Sequence, residues 1–261
     1  METSSDNAIP RRGPTIIAPE LWRATGNPGG PLTAEERALL AAISTVVRFK
    51  RGETIYRDGD RADAIFNIIT GVVKVLRPLG EGKEHIVAFL FPNDLAGLAE
   101  EGRYVNSAEA VTPVTLYRIA TAALEVRLHR FANLDFRFLT KVCHDLREDQ
   151  RHAFLLSKRY TVARLGLFLQ MLQHQQTAYI EGSPELYLPM SRSDIAAYIG
   201  VSLEAVSRSL RGLVELGVIV FRDRRHLKII DHGQLETLIA EPHRAETPRR
   251  SRRGSSATAT A

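Results

Sequence analysis

Four polar side chains at helical spacing, Glu204, Ser207, Arg208 and Arg211, carry donors and acceptors that match the edges of nucleic-acid bases. Arg208 can donate two hydrogen bonds to guanine O6 and N7, Glu204 can accept from a cytosine or adenine amino group, and Ser207 can contact thymine. Arg211 suits a phosphate or a protein partner equally. Such a row reads sequence only if the chain around it forms a rigid element that fits a groove.

The flanking residues predict that element. Ser191 followed by Asp194 fits an S-x-x-D capping pattern, and Ile195, Ala196 and Ile199 recur on one helical face, so a short helix is expected here. Gly200 stands where the chain must reverse without a Cβ clash, and Ser202 is a good N-cap. A second helix then runs from Leu203 and stops before Gly217, placed as a C′ residue. Its buried stripe is Val206, Leu210, Leu213 and Val214, opposite the polar row and Glu215. Small Ala196, Gly200 and apolar Val206 meet the packing demands of a helix-turn-helix. After it, the β-rich runs VIVF and LKII flank Arg222, Asp223, Arg224, Arg225 and His226, which reads as a hairpin wing with a basic tip. From Ser191 to Ile230 seven Lys/Arg stand against four Asp/Glu. Arg222, Arg224 and Arg225, with Ser191 and Ser202 at the helix starts, are the expected contacts to the DNA backbone; the plainer alternative for these arginines is a solvated turn.

Whole-chain properties bound the rest. The chain has 261 residues, 44% hydrophobic and 25% charged, which suits one large or two modest globular domains, and its net charge of +5 suits an anionic partner. One cysteine, Cys143, excludes an internal disulfide and argues against a Cys-ligated zinc or iron-sulfur site within one chain. IVAFLF, from Ile86 to Phe91, is too short to span a bilayer, and METSSDNAIPRRG lacks the apolar segment of a signal peptide. A cytoplasmic protein without membrane attachment is expected. There is no H-x-H, Walker loop, G-x-G-x-x-G or G-x-S-x-G, so a cupin-like metalloenzyme has no residues to stand on, and no catalytic role or metal site is assigned.

Residues 1–31, with five prolines and a Gly-Gly pair, read as a flexible arm. A capping box at Thr33 and Glu36 opens a short helix. From Val46, short apolar runs broken at Arg51-Gly52, Asp58-Gly59-Asp60, Thr70-Gly71 and Gly80-Glu81-Gly82 predict an antiparallel β-domain over 32–126. Residues 127–158 form a helical region in which Leu139, Val142, Leu146, Ala153 and Leu156 make a seam for a second copy, with Asp149 on the same line. Two Asp149 carboxylates facing across a two-fold axis would weaken that pairing; an amphipathic helix packed on its own domain is the alternative. A further helix from Thr161 to Leu172 leads into the DNA-binding part, 159–240, and the Arg-rich tail over 241–261 reads as disordered.

This order, a glycine-punctuated β-roll, a long dimerisation helix and a winged helix-turn-helix carrying LPMSRSDIAAYIGVSLEAVSRSL, resembles the Crp/Fnr superfamily of bacterial transcription regulators from about Thr33 to Ala240. Crp-type members carry an Arg directly before the Glu and a glycine three after it; Leu203 and Ser207 stand there. Glu204, Ser207 and Arg208 instead match the E-x-x-S-R motif of the Fnr and FixK branch. The resemblance implies an α+β chain with a cyclic-nucleotide-binding-like jelly roll, acting as a homodimer on a TTGAT-N4-ATCAA type operator in double-stranded DNA and working with RNA polymerase. In cyclic-nucleotide-binding relatives a Gly-Glu pair and a later Arg-Ser or Arg-Thr pair hold the ligand. Here Gly97 and Ser107 match, but Leu98 replaces the Glu and Asn106 the arginine, with Arg103 as the nearest substitute. The four cluster cysteines of Fnr are missing. Among the histidines, His85, His129, His144 and His152 are the candidates for a haem-responsive alternative, and none is assigned. No cofactor is expected, as in FixK-like relatives controlled by the amount of protein made.

Overall fold

A computed structural model describes residues 42–80, 83–92, 94–128, 132–177 and 185–240. The arm over 1–31, the Thr33 capping box, Glu81-Gly82 and the tail lie outside the described residues.

Among the described residues ten strands come first: β1 Ser44–Phe49, β2 Thr54–Tyr56, β3 Ala64–Thr70, β4 Val73–Gly80, β5 Lys83–Leu90, β6 Leu95–Ala96, β7 Ala99–Glu100, β8 Arg103–Tyr104, β9 Ser107–Ala110 and β10 Val114–Ala120. They form two four-stranded antiparallel sheets, ordered β1-β10-β3-β6 and β2-β9-β4-β5, with β7 and β8 as a small hairpin. The glycines read as turns at 52, 59, 71 and 80 all fall between strands or at a strand end.

Alternation along the strands builds two faces. In β3, Ala64, Phe66 and Ile68 enter the core between the sheets, while Ile65 faces Tyr117, Ile119 and Leu124 on the opposite side. In β4, Val73 points into the roll; Leu76, and Val72 just before the strand, point out of it and join the core of the helical part. Lys74 therefore emerges on the outward side, a position that matters below.

Helices follow: α1 Thr121–Leu128, α2 Ala132–Ser157, α3 Thr161–Thr177, α4 Arg192–Ile199, α5 Leu203–Glu215 and α6 His232–Ala240. Three short strands, β11 Leu186–Tyr187, β12 Ile219–Phe221 and β13 His226–Ile229, form a sheet ordered β11-β13-β12. Sequence reading anticipates the last two; β11 is too short to carry a periodic signal. The largest core runs without interruption from Ile86 and Phe91 of the roll, through Leu155 of α2 and Leu165, Phe168 and Leu169 of α3, to Ile195, Ile199, Val206 and Leu213. Among the described residues no helix is long and apolar enough to cross a membrane.

Candidate nucleic-acid interface

The Ser191 hydroxyl accepts the Asp194 N–H at 3.0 Å, and the Asp194 carboxylate accepts the Ser191 N–H at 2.9 Å. That reciprocal box fixes the start of α4. Burial raises the Asp194 pKa, but the Ser191 hydroxyl and N–H and the Lys74 ammonium outweigh it and hold the carboxyl below its usual range. At the far end Gly200 adopts φ 66° and ψ 46°, and its N–H returns to the Ala196 carbonyl. Arg164 on α3 reinforces this end, donating to the carbonyls of Ile199 at 3.0 Å and Gly200 at 3.2 Å and, through Nε, to Lys158 at the end of α2. Sequence reading misses Arg164, because its partners are distant or main-chain.

Helix α5 starts at Ser202, whose hydroxyl accepts the Ala205 N–H at 3.2 Å. It ends in a Schellman motif: Val218 N–H donates to the Leu213 carbonyl and Gly217 N–H to that of Val214, with Gly217 at φ 71°. Val206, Leu210 and Leu213 are buried, but Val214, expected in the stripe, is 41% exposed. It lies in the last turn beside Leu216, also exposed, where the helix has run past the core beneath it. Glu204, Arg208 and Arg211 are exposed and Ser207 half-buried, so the structure brings the row together on the outward face. The Glu204 carboxyl is held low, first by its own backbone N–H and then by the Ser202 hydroxyl and nearby Arg208. It is an ionised acceptor at neutral pH.

In the wing the three arginines differ. Arg222 pairs with Glu185 at 2.5 Å and with Asp223 at 3.5 Å, and half-buried Arg225 donates to the Pro189 carbonyl at 3.4 Å. Arg224 is exposed. Asp223 shapes the tip: it accepts the Arg225 and His226 N–H groups and contacts His226 Nδ1, and these bonds, that to the Arg225 N–H first, bring its pKa to about 2. A carboxylate thus sits amid the expected basic patch, performing a turn function.

On α2, Leu139 and Leu146 are both 58% exposed, and Cys143, Asp149 and Ala153 are exposed as well. Leu156 is half-buried against its own chain, and the Val142 side chain lies outside the described residues. A 3.5-residue seam on a straight helix drifts by about 20° per heptad, so Leu156, its last member, turns toward the body of the chain, while Ala153 stays exposed. Leu155, absent from the seam, is fully buried, and Phe154, also absent from it, is 55% exposed. His152 is buried: its ring stacks on Tyr198 at 4.1 Å, and its Nε2 lies 2.8 Å from the Tyr198 carbonyl. Burial first, and His85 beside it, lower the His152 pKa against the raising effects of that carbonyl and Asp149.

In the roll, the groups matching a nucleotide site are engaged with the chain itself. Gly97 N–H donates to Tyr56 Oη at 3.0 Å, and that hydroxyl donates to Asn106 Oδ1 at 3.1 Å. Ser107 Oγ accepts the Asp58 N–H, and Arg103 donates to the Gly59 carbonyl at 2.7 Å. Leu98 packs against the Ile65 and Tyr117 cluster. His129 and the His144 side chain lie outside the described residues.

A cyclic nucleotide-binding domain model matches residues 46–130, and a Crp-like helix-turn-helix domain model matches 163–238. The nitrogen fixation regulation protein FixK of Azorhizobium caulinodans is 31% identical over 207 residues, covering 79% of this chain and 84% of that protein. The chain belongs to the Crp/Fnr family of transcription regulators. FixK of Rhizobium meliloti is likewise 31% identical, over 74% of this chain and 86% of that protein. Among solved structures, FixK2 from Bradyrhizobium japonicum superposes with a TM-score of 0.70 at 26% identity, over 75% of this chain and 97% of that one. The regulator's helix-turn-helix is its DNA-binding domain.

Proposed function

We propose that the regulator binds as a homodimer to a palindromic TTGAT-N4-ATCAA-like operator and regulates transcription there through contact with RNA polymerase, in the cytoplasm and without catalysis. The observation that carries this reading is the outward row Glu204, Ser207 and Arg208 on a helix fixed at both ends. One α5 enters each major-groove half-site; Arg208 reads guanine, Glu204 an amino group and Ser207 a thymine. Arg211 and Arg224 are exposed and suited to phosphates, whereas Arg222 and Arg225 must exchange contacts within the chain to reach them. Ser191 and Ser202 serve the backbone from helix starts, where main-chain N–H groups favour an anion.

Dimerisation is supported by the exposed Leu139 and Leu146, apolar side chains one heptad apart. Val142, Asp149, Ala153 and Leu156 complete the proposed interface, with Asp149 and Leu156 at its edge. Control without a bound nucleotide is supported by the bonds that engage Gly97, Asn106, Ser107 and Arg103 within the chain. The domain division into 32–126, 127–158 and 159–240 follows from the same reading. Sedimentation of the protein with and without a duplex carrying the operator tests it: a complex of two chains per duplex is expected, and one chain per duplex would overturn the dimeric reading.

A further inference from the structure

Beyond the reading face, one cavity of about 90 Å³ lies where β5, α2, α3 and α4 meet. Phe89, Phe168 and Tyr198 wall it, with ring centroids 5.1 to 6.3 Å apart. Gln175 lines it too, and its Oε1 is buried with no hydrogen-bond partner among the described residues. Asp149 is the exposed lining residue and so stands at the mouth. The other carboxylates of the lining are engaged: Asp94 accepts the Phe91 N–H at 2.8 Å, and Glu148 pairs with Arg151.

We propose that this cavity binds a small apolar molecule bearing one protonated amine. The hydrocarbon part lies on the three rings, and the ammonium bridges Gln175 Oε1 and the Asp149 carboxylate. A buried acceptor without a donor is costly, so an N–H brought to Gln175 relieves a defect already present. The aromatic faces take up the hydrocarbon part, and a carboxylate at the mouth neutralises the ammonium. His152, the remaining titratable group of the lining, is held in its neutral form by burial and so does not repel an ammonium. An anion would meet three carboxylates, Asp94, Glu148 and Asp149. Since a cavity of about 150 Å³ holds the six non-hydrogen atoms of benzene, this one encloses about four, the size of an isobutyl group, with the ammonium at the mouth. Its walls come from the roll, the long helix, α3 and, through Tyr198, α4, so an occupant joins the roll to the two helices on which α5 packs.

The chain has three methionines, Met1, Met171 and Met190; Met171 lines the cavity, whereas Met190 is buried in the DNA-binding part. Protein labelled with carbon-13 at the methionine methyls is titrated with isobutylammonium, isobutanol or isobutyrate and followed by NMR. The Met171 signal should move and saturate with isobutylammonium while Met1 and Met190 stay still, at least about tenfold tighter than with the other two probes. Asp149→Asn and Gln175→Leu should each weaken binding by about tenfold, with an unchanged Met190 signal reporting an intact fold. No saturable shift of Met171, which would leave water as the occupant, overturns the proposal. So does equal affinity for the three probes, or wild-type affinity in both variants.

Discussion

On α5 the charged groups stand in solvent and Val206, Leu210 and Leu213 lie beneath, whereas at the junction of β4 and β5 with α2, α3 and α4 the charged and aromatic groups are themselves enclosed. Lys74 reaches from the roll to Asp194 at 3.2 Å and to Glu109 at 2.9 Å, and the rings of His85, His152, Tyr198 and Phe89 contact one another in succession. The two regions should fail in different ways. A change on the reading face removes specificity and leaves the fold; a change at the junction removes stability and leaves the code.

The largest expected effect lies at the junction. Leu155→Ala opens a cavity in the shared core and should cost about 2–5 kcal/mol, read from denaturant unfolding, while preference among operator sequences is kept. If specificity fell along with stability, the two regions would not be separable. Arg208→Ala should do the reverse, losing about 1–3 kcal/mol of discrimination at the half-site G·C pair with unfolding unchanged. Competition binding with duplexes altered at that pair reads it, and retained discrimination would displace Arg208 from the groove.

Acid should separate the regions further. The folded pKa of His152 is depressed, so its contribution to stability is present above about pH 6.5 and is lost as the pH falls through the lowered value. Asp194 behaves in the same sense but only below the usual carboxylate range. Asp149, raised by burial, works in the opposite direction and gains as it protonates. Unfolding followed from pH 7 to 5 should therefore show declining stability, and His152→Gln should flatten the decline. An unchanged slope would remove His152 from the junction's energetics. The smallest effect belongs to the wing: Arg224→Ala should reduce the slope of log K against log salt by about 0.9 per chain without changing sequence preference.

The same contrast governs what the sequence reveals. Ser191 with Asp194, Gly200, Ser202 and Gly217 each act within about five residues of chain, so their roles are visible from local spacing. The strand-turning glycines are visible for the same reason. Lys74 and Asp194 are 120 positions apart, and nothing near either announces the other. His152 looks like any histidine on a helix until Tyr198 is folded against it. Arg164 spends its guanidinium on carbonyls, which carry no side-chain signature. On α2 the heptad spacing groups Leu139 and Leu146, which are exposed, with Leu156, which is half-buried, because a straight helix does not keep a 3.5-residue period. The Arg222 pairing with Glu185 is invisible for lack of any local cue, though it decides which wing arginine is available.

In the proposed function the row on α5 reads a defined sequence. Fluorescence anisotropy of the full chain, at physiological salt, with a labelled TTGAT-N4-ATCAA duplex and with a scrambled duplex of the same composition tests it most directly. Binding to the operator at least about a thousandfold tighter than to the scrambled duplex is the expected result. Equal affinity for the two duplexes would contradict it.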